Sequence, residues 1–154
     1  MKIQWKRLLL CLAIPLAAGG LAALLTKDSM AQFALLNQPP LSPPGWLFPV
    51  VWTILYLLMG YASYLVSISH SAQKRHALIL YAMQLAVNFF WSIFFFNFEW
   101  YLFSFFWLLL LWVLIFLTLR AFRRISHAAA DLLIPYLLWV TFAGYLNLAI
   151  YLLN

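Results

Sequence analysis

Gln84 and Asn88 stand four residues apart in an otherwise apolar stretch that continues "NFFWSIFFF". On a helix this spacing puts both amides on one face, and Trp91 and Ser92 extend it. Amides donate and accept hydrogen bonds but neither take protons nor attack carbon, so the chemistry available to the pair is recognition. The other groups suited to recognition are indoles. Trp52 and Trp139 each lie about two turns inside an apolar block, where a ring face can stack on a flat ligand. The bland alternatives stay open. Buried amides serve as interhelical glue, and an aromatic stripe is commonly packing, so these residues alone make only a weak case for a pocket. Asn147 reads as a packing residue.

Other chemistries are absent. Ionisable side chains inside a membrane mark ion paths and proton relays, and none lies deep in an apolar block here. Glu99 and Asp131 sit at block edges, and Asp131 is expected to cap or favour the start of the fifth helix, at its positive dipole end. His70, His76 and His127 read as solvated loop residues. These placements argue against a proton-driven pump and against a histidine-held metal or haem inside the bundle. No acid–base or nucleophile constellation exists, so no catalytic residue is assigned. Cys11 is the only cysteine, which excludes an intrachain disulfide and a cysteine metal site.

The elements that position these groups follow from composition. The chain has 154 residues, of which 68% are hydrophobic and 8% charged. A soluble domain carries about a quarter charged residues, so this is a polytopic membrane protein. Its apolar blocks reach the roughly 20 residues a spanning helix needs, not the short alternating segments of a barrel. The first block has the length of a span, and four more follow, so it is not read as a signal peptide. The expectation is one all-α domain, a bundle of five transmembrane helices at about 8–25, 43–67, 77–96, 100–119 and 131–153, the first bent or weakened at Pro15. The second to fourth connections are short and imply antiparallel neighbours. The first, Thr26–Ser42, is long enough to have a shape of its own.

Basic residues set the expected orientation. Lys2, Lys6, Arg7, Lys74, Arg75, Arg120, Arg123 and Arg124 share one side, and Lys27 stands alone on the other. The amino terminus is therefore expected in the cytoplasm of a bacterial-type plasma membrane, with the first loop and the carboxyl terminus outside. Topology and anionic lipid account for the net charge of +6, and no nucleic-acid binding is inferred. Trp5, Trp46 and Trp100 read as interface anchors, while Trp107 and Trp112 are expected to face lipid. Gly19 and Ala23, spaced by four, suit a close helix contact within the bundle or in a homodimer. In "SPPGWLFPVVW" Ser42 is expected to cap the second helix, with Pro43 and Pro44 in its first turn. Pro49 would then crowd the Gly45 carbonyl and distort the helix mouth.

Three stretches, "PPGWLFPVVWTILYLLMGYASYLV", "QLAVNFFWSIFFF" and "LLIPYLLWVTFAGYLNLAIY", resemble in order the TspO/MBR family, also called tryptophan-rich sensory protein, translocator protein or peripheral-type benzodiazepine receptor. The resemblance covers nearly the whole chain. It implies a five-helix bundle, often homodimeric, that binds tetrapyrroles such as protoporphyrin IX, and also sterols and benzodiazepine-like ligands, beneath a first loop acting as a lid. By motif, Trp52, Asn88 and Trp139 fall at the family's pocket positions. Phe48, Tyr56, Trp91 and Ala143 fall at lining positions, and Pro43 and Pro44 at the lid junction. Two features depart from the family pattern. Leu41 stands where the family often has a lid tryptophan, and "GYLNLAIYLLN" lacks the basic residue of the animal sterol motif, so selective cholesterol binding is not expected.

The implied reading is a membrane receptor or sensor for a porphyrin or similar flat amphiphile, with membrane lipid and, in a homodimer, a second copy as partners. It requires no cofactor, since the tetrapyrrole is the ligand, and no metal. Without a buried histidine, metal-free porphyrin is favoured over axially ligated haem, although Met59 and Met83 are potential ligands. The competing readings are light-dependent porphyrin degradation, with Trp52 as the radical partner, and transport of porphyrin or another amphiphile.

Overall fold

The structure is a computed structural model that describes residues 2–154. Seven helices form five membrane-length spans: α1 (Trp5–Thr26), the short α2 (Met30–Ala34), α3 (Leu47–Ser67), α4 (Lys74–Ser92), α5 (Tyr101–Arg123), α6 (His127–Leu132) and α7 (Ile134–Leu153). All spans are helical, because a backbone in hydrocarbon must satisfy its own polar groups. Their outward faces carry Leu10, Leu24, Phe106, Leu109 and Leu138, exposed side chains that suit lipid. Water does not drive helices together inside a bilayer, so close packing and interhelical hydrogen bonds must hold them.

Around the bundle the order is α3, α1, α4, α5, α7, with α7 returning to α3. The α1–α3 seam is the tightest. Pro15 lies inside α1 without breaking it, but it has no N–H to give the carbonyl of Cys11. That carbonyl faces Gly60 of α3, where a Cβ would come within 2.7 Å of it. Farther along the seam, any side chain on Gly19 would run into the Tyr56 ring. Gly19 therefore serves packing within the bundle, while Gly20 beside it has nothing near its missing Cβ. At the far end of α3 the Arg7 guanidinium donates to the Ser67 carbonyl (2.9 Å), and Lys74 Nζ donates to those of Ser67 and Ser69 (3.1 and 3.0 Å). Cations there satisfy carbonyls that a helix end leaves unpaired.

Indole N–H groups tie the remaining seams. Trp107 donates to the Val87 carbonyl of α4 (2.7 Å) and Trp112 to Thr141 Oγ1 of α7 (2.8 Å). Both rings are only partly exposed. Contrary to the expectation, they do not simply face lipid: an indole N–H in an apolar medium needs an acceptor, and a neighbouring helix supplies one. Trp5, Trp46 and Trp100 are exposed at span ends, as anchors should be.

Three boundary readings change. The second span begins at Leu47, not Pro43, so Ser42 is not its cap and Pro43 and Pro44 lie in irregular chain before it. Pro49 then falls in the first turn, where no intrahelical donor is required, and the distorted mouth is unnecessary. The fifth span begins earlier than Asp131. Ser126 caps α6 by accepting from the Ala129 N–H (3.2 Å), while Asp131 lies within α6 and pairs with Arg123 at 3.4 Å. Both partners are solvent-exposed, so the pair contributes little. The missing N–H of Pro135 leaves the Asp131 carbonyl without its helical partner, and the span breaks at Leu133 between α6 and α7. The third span starts at Lys74 and ends in a wider π turn, Ile93–Asn97.

The first connection is built, not slack. After α1 come a 3₁₀ turn at Lys27–Ser29 and then α2. Phe33 of α2 packs edge-on against Phe95 and Phe96, with centroids 5.7 and 5.2 Å away. Asn97 accepts from Ser29 Oγ and donates to the Leu25 carbonyl (2.6 and 3.0 Å). The irregular stretch from 37 to 46, with turns at Pro40–Leu41 and Gly45–Trp46, then runs as a strap beside the last turns of α7. Asn37 exchanges hydrogen bonds with Asn154, N–H to Oδ1 at 3.1 Å and Nδ2 to carbonyl at 3.2 Å, and Tyr145 OH donates to the Pro40 carbonyl at 2.7 Å. Leu41, at the tryptophan position of the lid pattern, is exposed with φ 70°, a left-handed conformation that costs a non-glycine residue about 1–2 kcal/mol.

Candidate functional site: an aromatic cluster at the mouth of α3

The first turn of α3 reaches side chains at the middle of the fifth span. Phe48, in the first turn of α3, lies edge-on to Trp139 with centroids 6.0 Å apart. One turn further in, Trp52 contacts Tyr56 (5.6 Å) and the edge of Tyr136 (6.2 Å). Sequence spacing alone allowed Trp52 and Trp139 to share a cavity only at mid-depth, and the late start of α3 brings their neighbourhoods together there.

The polar centre is Tyr136, fully buried on α7. Its hydroxyl accepts from Asn88 Nδ2 (2.7 Å) and donates to Gln84 Oε1 (2.7 Å). The Gln84–Asn88 face expected from their spacing therefore exists, and one phenol binds both amides. Sequence reasoning missed Tyr136. A signal was present, since Tyr136, Trp139 and Ala143 follow helical spacing and a tyrosine in an apolar run needs a partner for its hydroxyl. Ala143 lies on the same stripe with Val140 and is buried.

Trp91 sits apart from this group. Its indole donates to Asn147 Oδ1 (3.0 Å) and its ring stacks on Phe95 (5.0 Å). Asn147 Nδ2 passes the link to the Tyr101 carbonyl (2.8 Å), so the packing role read for Asn147 matches its geometry. Trp91 joins α4 to α7 beneath α2, while Phe48, Trp52, Tyr56, Asn88 and Trp139 gather about Tyr136. Pro43 and Pro44 lie in the strap that leads into Phe48.

Among the described residues, Trp139 Nε1 and Gln84 Nε2 are buried N–H donors without a hydrogen-bond partner, and the hydroxyls of Tyr81 and Ser104 are also unpaired. Indole and amide nitrogens can only donate, so the groups that would satisfy them are acceptors: a carboxylate, a carbonyl or an imine nitrogen. No charged side chain and no cluster of potential metal ligands accompanies them among the described residues. The arrangement suits a flat, largely apolar molecule held by ring faces and oriented by a few hydrogen bonds.

Comparison with known proteins identifies the family. The model of the TspO/MBR family matches residues 11–153. The tryptophan-rich protein TspO of Chlorobaculum tepidum is 40% identical, with 100% of this chain aligned to 99% of that protein. The translocator protein of Bos taurus is 37% identical over 87% of this chain and 82% of its own length. The tryptophan-rich sensory protein of Cereibacter sphaeroides is 36% identical over 96% and 90%.

Proposed function

The chain belongs to the TspO/MBR family, and from that premise and the aromatic cluster about Tyr136 we propose that it is a membrane receptor or sensor for a tetrapyrrole such as protoporphyrin IX, with a ligand cleft among those rings. The observation that carries the proposal is the convergence of Phe48, Trp52, Tyr56 and Trp139 around the Asn88–Tyr136–Gln84 hydrogen bonds, beside a buried indole N–H that has no acceptor. The porphyrin ring lies against the indole and phenyl faces. An acceptor on the ligand engages Trp139 Nε1, and the propionates point toward the strap because the bundle interior offers no cation. Ala143 shares the buried stripe of Tyr136 and Val140, and Trp91 joins α4 to α7 beneath α2. In this reading the positive-inside bias puts the strap outside the cell and the amino terminus in the cytoplasm. A homodimer is compatible with the reading, which does not require one.

Titration of the detergent-solubilised protein with protoporphyrin IX is expected to quench tryptophan fluorescence saturably. The double variant Trp52→Phe, Trp139→Phe should raise the dissociation constant by about tenfold or more, since each indole contributes about 0.5–1.5 kcal/mol beyond its buried area. Affinity unchanged in the double variant sinks the site assignment. The alternative of light-dependent breakdown has one observation in its favour, the closeness of Trp52 to Tyr56, two oxidisable rings. Loss of porphyrin absorbance no faster than with free tryptophan under the same light rejects it.

A further inference from the structure

We propose that the ligand enters the cleft sideways from the bilayer, through a portal between α3 and α7 that the break at Pro135 holds open, with Trp139 as its inner wall. The inference rests on the proposed function and concerns how the same site is reached.

The seam between α3 and α7 differs along its length. At one end α6, the first segment of the fifth span, packs closely on α3. At the other the strap covers the seam, fastened by the Tyr145–Pro40 and Asn37–Asn154 hydrogen bonds. Between them α3 and α7 barely touch, and a groove of about 430 Å³ opens there. Val51, Ile54, Leu55 and Leu58 form one side; Pro135, Leu138, Trp139 and Phe142 form the other. Pro135 stands at the base of the groove, just after the break. Its missing N–H interrupts the helical hydrogen bonding between α6, which packs on α3, and α7, which barely touches it.

Depth and chemistry agree. Residues 135–142 occupy the middle of a 27-residue span, so the groove meets the hydrocarbon core and not the headgroups. All eight lining residues are apolar or aromatic, and Ile54 and Leu138 on its rim are more than half exposed. Trp139 belongs to both compartments: it lines the groove, while its ring meets Phe48 and its Nε1 is buried without an acceptor. A flat apolar molecule partitions into lipid, so this opening presents it to the cleft from the phase where it is concentrated. The strap route would require at least three hydrogen bonds to break.

The test bridges the groove. In a Cys11→Ser background, Ile54→Cys and Leu138→Cys are joined by a short, reducible bis-methanethiosulfonate linker in lipid nanodiscs. A parallel protein carries Asn37→Cys and Asn154→Cys, bridged across the strap. Protoporphyrin IX binding is followed by stopped-flow tryptophan quenching. The expected result is association and dissociation both slowed about tenfold or more by the groove bridge, as for binding that must await an opening, with equilibrium affinity unchanged. Reduction of the linker should restore both rates, which excludes misfolding, and the strap bridge should leave them unaltered. A groove bridge that forms without slowing association, or slowing by the strap bridge alone, overturns the portal while leaving the binding function intact. Absence of saturable quenching in the unbridged protein instead overturns the function, and the portal with it.

Discussion

Tyr136 uses both halves of its hydroxyl, accepting from Asn88 and donating to Gln84 in a site closed to water. Removing that one oxygen strands two buried amide groups. Tyr136→Phe is therefore expected to cost about 1–3 kcal/mol, the penalty for unsatisfied buried polar groups, read as a lower unfolding midpoint in detergent. Adding Gln84→Leu should recover part of the loss, because one stranded amide disappears. Gln84 and Asn88 were legible in the chain because their helical spacing and their polarity in an apolar run are local properties. Their partner was not, since it lies 52 and 48 residues away and is chosen by how the fifth span is rotated. The same holds for Trp107 and Trp112. Their depth in a span is readable, but the acceptors that turn them inward are carried by other helices.

At the scale of the elements, five spans were evident from hydrophobic length, and the errors fell at their ends. Proline explains the largest. Pro43, Pro44 and Pro49 are each compatible with a helical first turn, so residue type could not decide which of them opens α3. Packing of the strap along α7 decides it. Pro135 was equally visible, but its effect depends on α6 finding a surface on α3. Glycine marks the α1–α3 seam by the same logic. Gly60→Ala puts a methyl within 2.7 Å of the Cys11 carbonyl, an atom of the backbone that cannot swing aside. The substitution should destabilise the bundle by about 1–3 kcal/mol, as overpacking does. Gly20→Ala, with open space at its Cβ, should be neutral or slightly stabilising. Equal midpoints for the two variants in detergent unfolding would refute the seam.

For the whole molecule, the strap forms a roof fastened to the outer end of α7. Asn37→Ala removes the amide that donates to the Leu153 carbonyl at 3.3 Å and leaves the strap held by the Asn154 side chain and Tyr145. With about 1 kcal/mol lost per hydrogen bond, amide hydrogen exchange across residues 27–42 should rise about fivefold while that of α3 is unchanged. Exchange unaltered in both regions would mean the clasp does not hold the roof. By itself the sequence determined that this is an integral membrane protein of five helices with no ionisable group at its core. Those are consequences of composition and span length, which act locally and do not depend on how helices are arranged. It also carried the family resemblance, because motif residues keep their order along the chain. Only the tertiary structure decided that Trp139 meets Phe48, that one tyrosine binds both amides, and that α3 and α7 part at mid-membrane. Each of these depends on the rotation and offset of one apolar helix against another. Within lipid, many rotations bury equally apolar surface, and a few hydrogen bonds, two glycines and one proline break select among them.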